Sequence, residues 1–179
     1  TDIGAYEFRG SSADETPPEI LSATPGGLYM DDVIGHDTDA IVLGFSEQLD
    51  RIDANAWANY ELRDDGGNGI FDDADDVVYS LTPSYTPGAL VVTLQQPTTP
   101  LPIGQYRLTV REGLHDLSGN ALDGDGDDLA GGDFVRTFFT AVAGDANRDG
   151  TVGIADLGIL AGRYGQSGQR CPGSPGDHR

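Results

Sequence analysis

The chain has 179 residues, 37% of them hydrophobic and 8% aromatic, and its 30 Asp and Glu against ten Lys and Arg give a formal charge of −20. That apolar content suffices for one core of ordinary size plus short appendages. The acidic excess argues against nucleic acid and anionic lipid as partners, because both need clustered Lys and Arg, and it favours cations. The charge is also lopsided in kind, with 24 Asp, six Glu, ten Arg and no Lys. Glu suits helix interiors, whereas Asp suits turns, caps and calcium loops. With 26 Gly and ten Pro besides, the composition predicts β-structure joined by acidic loops. Cys171 is the single cysteine, so no disulfide framework forms within the chain. No run of 18 apolar residues occurs, so no transmembrane helix is expected. The chain opens on Thr1 without Met, and it is expected to be a mature or excised fragment.

Residues 1–10, Thr-Asp-Ile-Gly-Ala-Tyr-Glu-Phe-Arg-Gly, contain the string Asp-Ile-Gly-Ala-Tyr-Glu. It resembles the closing strand of parallel β-helix domains in large secreted bacterial proteins, which implies a further domain upstream. Residues 11–17, Ser-Ser-Ala-Asp-Glu-Thr-Pro, are a linker by composition.

From Pro18 to about Ala143 short runs alternate with turn clusters. The predicted strands are Glu19–Ala23, Ala40–Phe45, Tyr60–Arg63, Val77–Leu81, Ala89–Leu94, Gln105–Val110 and Phe134–Thr140. Ile41, Leu43 and Phe45 share one face by alternation, as do Tyr106, Leu108 and Val110. Trp57 and Tyr60 are expected in the core that two sheets enclose. Seven short strands with acidic or Gly/Pro turns suit an antiparallel β-sandwich over residues 18–143. Pro-Pro-Glu-Ile-Leu-Ser-Ala-Thr-Pro, Phe-Ser-Glu-Gln-Leu-Asp and the late Asp-Leu-Ser-Gly-Asn-Ala-Leu (Asp116–Leu122) together resemble the bacterial Ig-like domain of S-layer and surface proteins. That resemblance implies a mostly β, Ig-like sandwich serving as a spacer or adhesive module, without catalytic residues.

Two acidic loops interrupt the sandwich. Asp123, Asp125 and Asp127, with Asp128 beside them and Asp133 shortly after, alternate with Gly and offer a second calcium site, although the run lacks a twelve-residue register. Residues 64–76 hold six carboxylates and Asn68, and they read as a solvated connection with an ion as the alternative. His36, His115 and His178 have no zinc spacing. Gly-x-Ser-x-Gly is absent, and Glu47 and Glu112 lie near strand ends without an aromatic-lined cleft between them, so no enzyme is expected.

Residues 145–156 read Asp-Ala-Asn-Arg-Asp-Gly-Thr-Val-Gly-Ile-Ala-Asp. Asp145, Asn147, Asp149 and Asp156 place side-chain oxygens at positions one, three, five and twelve of a calcium loop. Gly150 takes the sharp turn at six, Thr151 offers its carbonyl at seven, and water fills the place of Gly153 at nine. A helix over Ala155–Tyr164 should follow, since Ile154, Leu157, Leu160, Ala161 and Tyr164 recur at helical spacing. Loop plus exiting helix, closed by Asp rather than Glu, resembles a type I dockerin repeat over residues 144–165. Dockerins carry two such repeats and this chain has one, followed by a tail, residues 166–179, expected to be disordered. In the family, positions ten and eleven contact a cohesin and are often hydroxyl residues; here they are Ile154 and Ala155.

These expectations converge on an extracellular or cell-surface, Ca²⁺-binding, non-catalytic fragment of a larger protein. The alternative is the C-terminal accessory region of a secreted polysaccharide-degrading enzyme that docks to a cohesin scaffold.

Overall fold

Side-chain alternation decides which runs become strands. In the computed structural model, which describes residues 14–25, 32–147 and 151–164, Ala40–Phe45 (β3) alternates half-buried and buried residues along its length. Its inward residues Ile41 and Leu43 are fully buried, and Phe45 is 3% exposed. Ile20–Thr24 (β1), β3, Val91–Gln95 (β7) and Thr82–Tyr85 (β6) form one sheet in the order β1-β3-β7-β6. Its ladders are antiparallel, and the register sets Leu43 opposite Val92 and Ile41 opposite Leu94. Asp32–Gly35 (β2), Phe134–Ala141 (β9), Gln105–Val110 (β8), Tyr60–Asp64 (β4) and Val78–Tyr79 (β5) form the second, in the order β2-β9-β8-β4-β5. There Leu62 faces Leu108 and Tyr106 faces Phe138, again across antiparallel ladders.

The inward faces of both sheets share one apolar cluster, in which Ile41, Leu43, Val92 and Leu94 of one sheet meet Leu62, Tyr106, Leu108 and Phe138 of the other. The protein is therefore mostly β, a two-sheet antiparallel sandwich. The Tyr106 and Phe138 rings stack with centroids 5.7 Å apart and planes 17° from parallel, within the range of favourable aromatic pairs. Three buried phenols keep a polar end satisfied. Tyr60 donates to the Ala54 carbonyl at 3.0 Å, Tyr106 to that of Pro102 at 2.8 Å, and Tyr85 to that of Ala89 at 3.0 Å. Burial pushes the Tyr60 and Tyr106 hydroxyls well above the usual phenol range, so both stay neutral.

Among the described residues, nine strands stand where seven were expected. The added strands, β2 and β6, read Asp-Val-Ile-Gly and Thr-Pro-Ser-Tyr; they are too short, and β6 with its proline too turn-like, for alternation to register. A four-residue helix, Arg51–Ala54 (α1), starts at Asp50, whose side chain accepts from the Ile52 and Asp53 amides at 2.7 and 3.2 Å. A 3-10 turn over Trp57–Asn59 follows, and it turns Trp57 outward to 71% exposure, whereas Tyr60 is buried as expected. Trp57 therefore lies outside the core.

The sandwich belongs to one compact unit, Thr1–Thr140, and residues 141–179 form another that contains the helix Ile154–Tyr164 (α2). Residues 1–10, residues 11–13 of the expected linker, Asp149, Gly150 and the tail from residue 166 lie outside the described residues.

Leu108→Ala, which empties space in a fully buried position, is expected to cost about 2–5 kcal/mol of stability. Trp57→Ala is expected to cost less than about 1 kcal/mol. Urea unfolding midpoints measure both.

Candidate metal centre

After β9 the chain turns on Gly144, whose φ of +95° suits a residue without Cβ, while the Asp145 amide donates to the Val142 carbonyl at 3.0 Å. Asp145 is 7% exposed and Asp156, in the first turn of α2, is 4% exposed. Two buried carboxylates in so short and otherwise exposed a segment must be organised by something. For Asp156 the partners are backbone amides. One oxygen, Oδ1, accepts from Ala146 at 2.7 Å and Asn147 at 3.1 Å, and Oδ2 accepts from Gly153 at 2.7 Å. The last residue of the dodecamer thus ties down its second and third residues, and the Gly153 amide that precedes α2.

These amides, the Gly153 one foremost, hold the Asp156 carboxyl below its ordinary range. A carboxylate has about four acceptor positions; three are filled by N–H groups, so Asp156 can offer a cation one contact and not a bidentate grip. Asp145 is brought to the same small unit, and Asn147 joins it through its amide. Thr151 is exposed, and Asp149 and Gly150 fall outside the described residues. The donor set is all oxygen, which fits a hard cation. Beside the carboxylates lies a hollow of about 440 Å³ walled by Gly144, Val152, Leu157 and Leu160. Along α2 the apolar side chains stay open, with Ile154 89%, Leu157 63%, Leu160 57% and Tyr164 83% exposed.

Of the second predicted set, Asp123, Asp125 and Asp127 converge, with one oxygen from each within 4.8 Å of the others. Asp123 is 3% exposed and folds this loop as Asp156 folds the other, accepting from the Gly126, Asp127 and Asp128 amides at 2.7, 3.2 and 2.9 Å. Asp133 is placed elsewhere. Its Oδ1 accepts from the Glu112 amide at 2.9 Å, and Oδ2 lies 3.8 Å from Arg111. An added Cβ on Gly124 would collide with the backbone of Gly132, Asp133 and Phe134, so close chain approach requires glycine there.

A third convergence, of Asp14, Glu47 and Asp116, was not anticipated as a unit. The signal was present, since Phe-Ser-Glu-Gln-Leu-Asp and Asp-Leu-Ser-Gly-Asn-Ala-Leu supply Glu47 and Asp116; their proximity could not be read from linear order. Asp116, 2% exposed, accepts from the Ser118 and Asn120 amides and from the Asn120 side chain. Asn120 in turn donates to the carbonyls of Asp14 and Thr16, pinning the segment that precedes β1. Burial, with Asp116 and Asp14 nearby, raises the Glu47 carboxyl. Of the histidines, His115 places Nδ1 2.8 Å from Asp53, and among the described residues no metal-type cluster contains a histidine.

No family model and no curated protein matches this chain. Among solved structures, the N-terminal part of the bacterial S-layer protein SbsC is similar at 13% identity and a TM-score of 0.42, over 69% of this chain and 23% of that one. Domains 1–6 of SbsC give 13% identity and 0.44, over 68% and 13%. The Escherichia coli protein PcoC, a methionine-rich copper resistance protein, gives 19% identity and 0.44, over 69% and 97%. The chain thus spans less than a quarter of the SbsC structures that it resembles. Among the described residues, no helix is long and apolar enough to cross a membrane.

Because the Asp156 carboxyl titrates below its ordinary value of 3.8, its contribution to the fold of residues 145–164 is complete above that value. The contribution is lost as pH falls through the lower, folded-state value. Asp156→Ala removes an acceptor from three amides, and it is expected to abolish the α2 amide signals at pH 7, read by ¹⁵N NMR, while leaving the sandwich signals in place.

Proposed function

We propose that this chain is a non-catalytic, calcium-binding module of a larger extracellular or cell-surface protein. The sandwich acts as a spacer, and residues 144–165 act as a dockerin-type repeat. The observation that carries the reading is the Asp145–Asp156 segment, where two buried carboxylates close a twelve-residue loop of oxygen donors at the mouth of a helix. Asp145, Asn147, Asp149 and Asp156 would give side-chain oxygens and Thr151 a carbonyl. Calcium supplies a compact double positive charge. The chain supplies the amides that orient Asp156 and the helix α2 that follows the loop.

Folding of the segment is then linked to the ion. Glycines at 158 and 162 each cost the eleven-residue α2 about 1 kcal/mol, and a helix of this length is marginal alone. A ligand at a hundred times its Kd adds about 2.7 kcal/mol to the state that binds it. Calcium sites of extracellular modules work at about 10⁻⁴–10⁻³ M, a range that suits the one fully backbone-tied carboxylate and the absence of a bidentate Glu. A chain of charge −20 with no Lys repels itself, and divalent cations relieve that repulsion.

The other reading, an accessory region that docks a polysaccharide-degrading enzyme to a cohesin, is supported by the open apolar side chains of α2. Ile154 and Ala155 at positions ten and eleven weigh against it. Binding to immobilised cohesin modules at saturating calcium would establish it, and clean failure would remove it.

CaCl₂ is expected to shift and sharpen the amide signals of residues 145–164 in the full chain. The double variant Asp145→Ala, Asp149→Ala is expected to lose that response. No response in the unaltered chain refutes calcium binding by this loop.

A further inference from the structure

The β4–β5 connection holds a second arrangement of carboxylates, independent of the C-terminal loop. Its first half is folded by two aspartates. Asp65, 5% exposed, accepts from the Gly67 and Gly69 amides at 3.0 Å each, and Asp64 Oδ1 accepts from Gly66 and Val77 at 3.2 and 2.8 Å. Gly66 has a φ of +59°, and a Cβ there would meet the Asp75 carboxylate at 2.7 Å. The second half therefore lies directly over the first.

In that second half Asp73, Asp75 and Asp76 converge, with one oxygen from each within 4.8 Å of the others. Asn68 spans two of them, its Nδ2 lying 2.8 Å from Asp73 Oδ2 and 3.1 Å from Asp75 Oδ2. Asp76 sets this group apart from an ordinary acidic turn. Its side chain is 1% exposed. Oδ2 accepts from the Asp72 amide at 2.6 Å and lies 3.4 Å from Arg63, but Oδ1 is buried without any hydrogen-bond donor. A buried carboxylate oxygen with no partner is costly, and nothing in the surrounding side chains supplies one. The two neighbouring arginines leave Oδ1 unpaired, since Arg63 reaches only Oδ2 of Asp76 and both arginines also hold other carboxylates. Arg107 grips Asp72 through two bonds of 2.6 and 2.7 Å, and Arg63 holds Glu61 at 2.9 Å.

We propose that Asp73, Asp75 and Asp76 bind a divalent cation, Ca²⁺, with Asp76 Oδ1 as the buried ligand and water completing the exposed side. The cluster offers only oxygen donors, which selects hard cations, and its irregular loop geometry suits Ca²⁺ better than octahedral Mg²⁺. The bound ion would fix residues 72–76 over the 64–69 turn, and so hold β5, which pairs with β4 through only two residues.

The test is a CaCl₂ titration of the full chain followed by ¹⁵N NMR, run beside the variant Asp73→Asn, Asp75→Asn and a NaCl titration at matched ionic strength. The expected result is a saturable shift of amides 65–77 with CaCl₂ that NaCl does not reproduce. The variant is expected to lose it while keeping the response of residues 145–164. The proposal is overturned if those amides stay still, if NaCl moves them equally, or if the variant responds as the unaltered chain does. Should the variant fail to fold, the first two outcomes still decide. Because the 145–164 signals are read separately, loss of one site does not imply loss of the other.

Discussion

The interaction on which the loops of this protein depend is the hydrogen bond from a backbone amide to an aspartate carboxylate a few residues away. Asp50 starts α1 with it, Asp65 folds the β4–β5 connection, Asp116 the turn to Asn120, Asp123 the Gly-rich loop, and Asp156 the C-terminal dodecamer. Each carboxylate reaches two or three amides, four of them within one tight turn and Asp156 also back to the start of its loop, at Ala146 and Asn147. Asp does this because its single methylene holds the oxygens close to the backbone, whereas Glu must lose more side-chain freedom to reach the same groups. The excess of 24 Asp over six Glu is thus a record of how the loops are built.

The same device sets up the electrostatics. Packing many carboxylates into turns concentrates negative charge that the whole chain, with ten Arg and no Lys, cannot neutralise. Ion pairs to Arg63, Arg107 and Arg111 absorb part of it on the face of the second sheet. The more exposed of these pairs, such as Arg107 with Asp72, contribute little. Elsewhere carboxylates meet in groups of three, at Asp73–Asp75–Asp76, Asp123–Asp125–Asp127 and Asp14–Glu47–Asp116. These gathered acids are what the proposed calcium binding would draw on, and the proposed loop at 145–156 leads directly into α2.

Most of the sandwich was legible in the sequence because strict alternation, as in Ile41-Val-Leu-Gly-Phe45 and Tyr106-Arg-Leu-Thr-Val110, leaves one choice of inward face. β2 and β6 were not legible, since four residues cannot establish a period and the pairing of β6 comes from β7 beside it. Trp57 was expected inside on hydrophobicity alone, but it sits in the 3-10 turn after α1, closed by the Asn59 amide on the Ala56 carbonyl, and that turn carries its side chain outward. For the candidate sites, linear spacing brought out Asp145 and Asp156, and the convergence of Asp123, Asp125 and Asp127. Spacing could not reveal that Asp133 is held by the Glu112 amide, or that Glu47 meets Asp116 across the fold, because both depend on tertiary contacts between distant segments.

Thermal unfolding in EDTA, in CaCl₂ and in NaCl of matched ionic strength tests the central claim most directly. Site binding predicts that CaCl₂ raises the Tm well beyond NaCl, with a dependence on calcium concentration that continues past saturation of the sites. Equal effects of the two salts would mean that the acidic loops feel only screening, and would contradict the calcium-binding account.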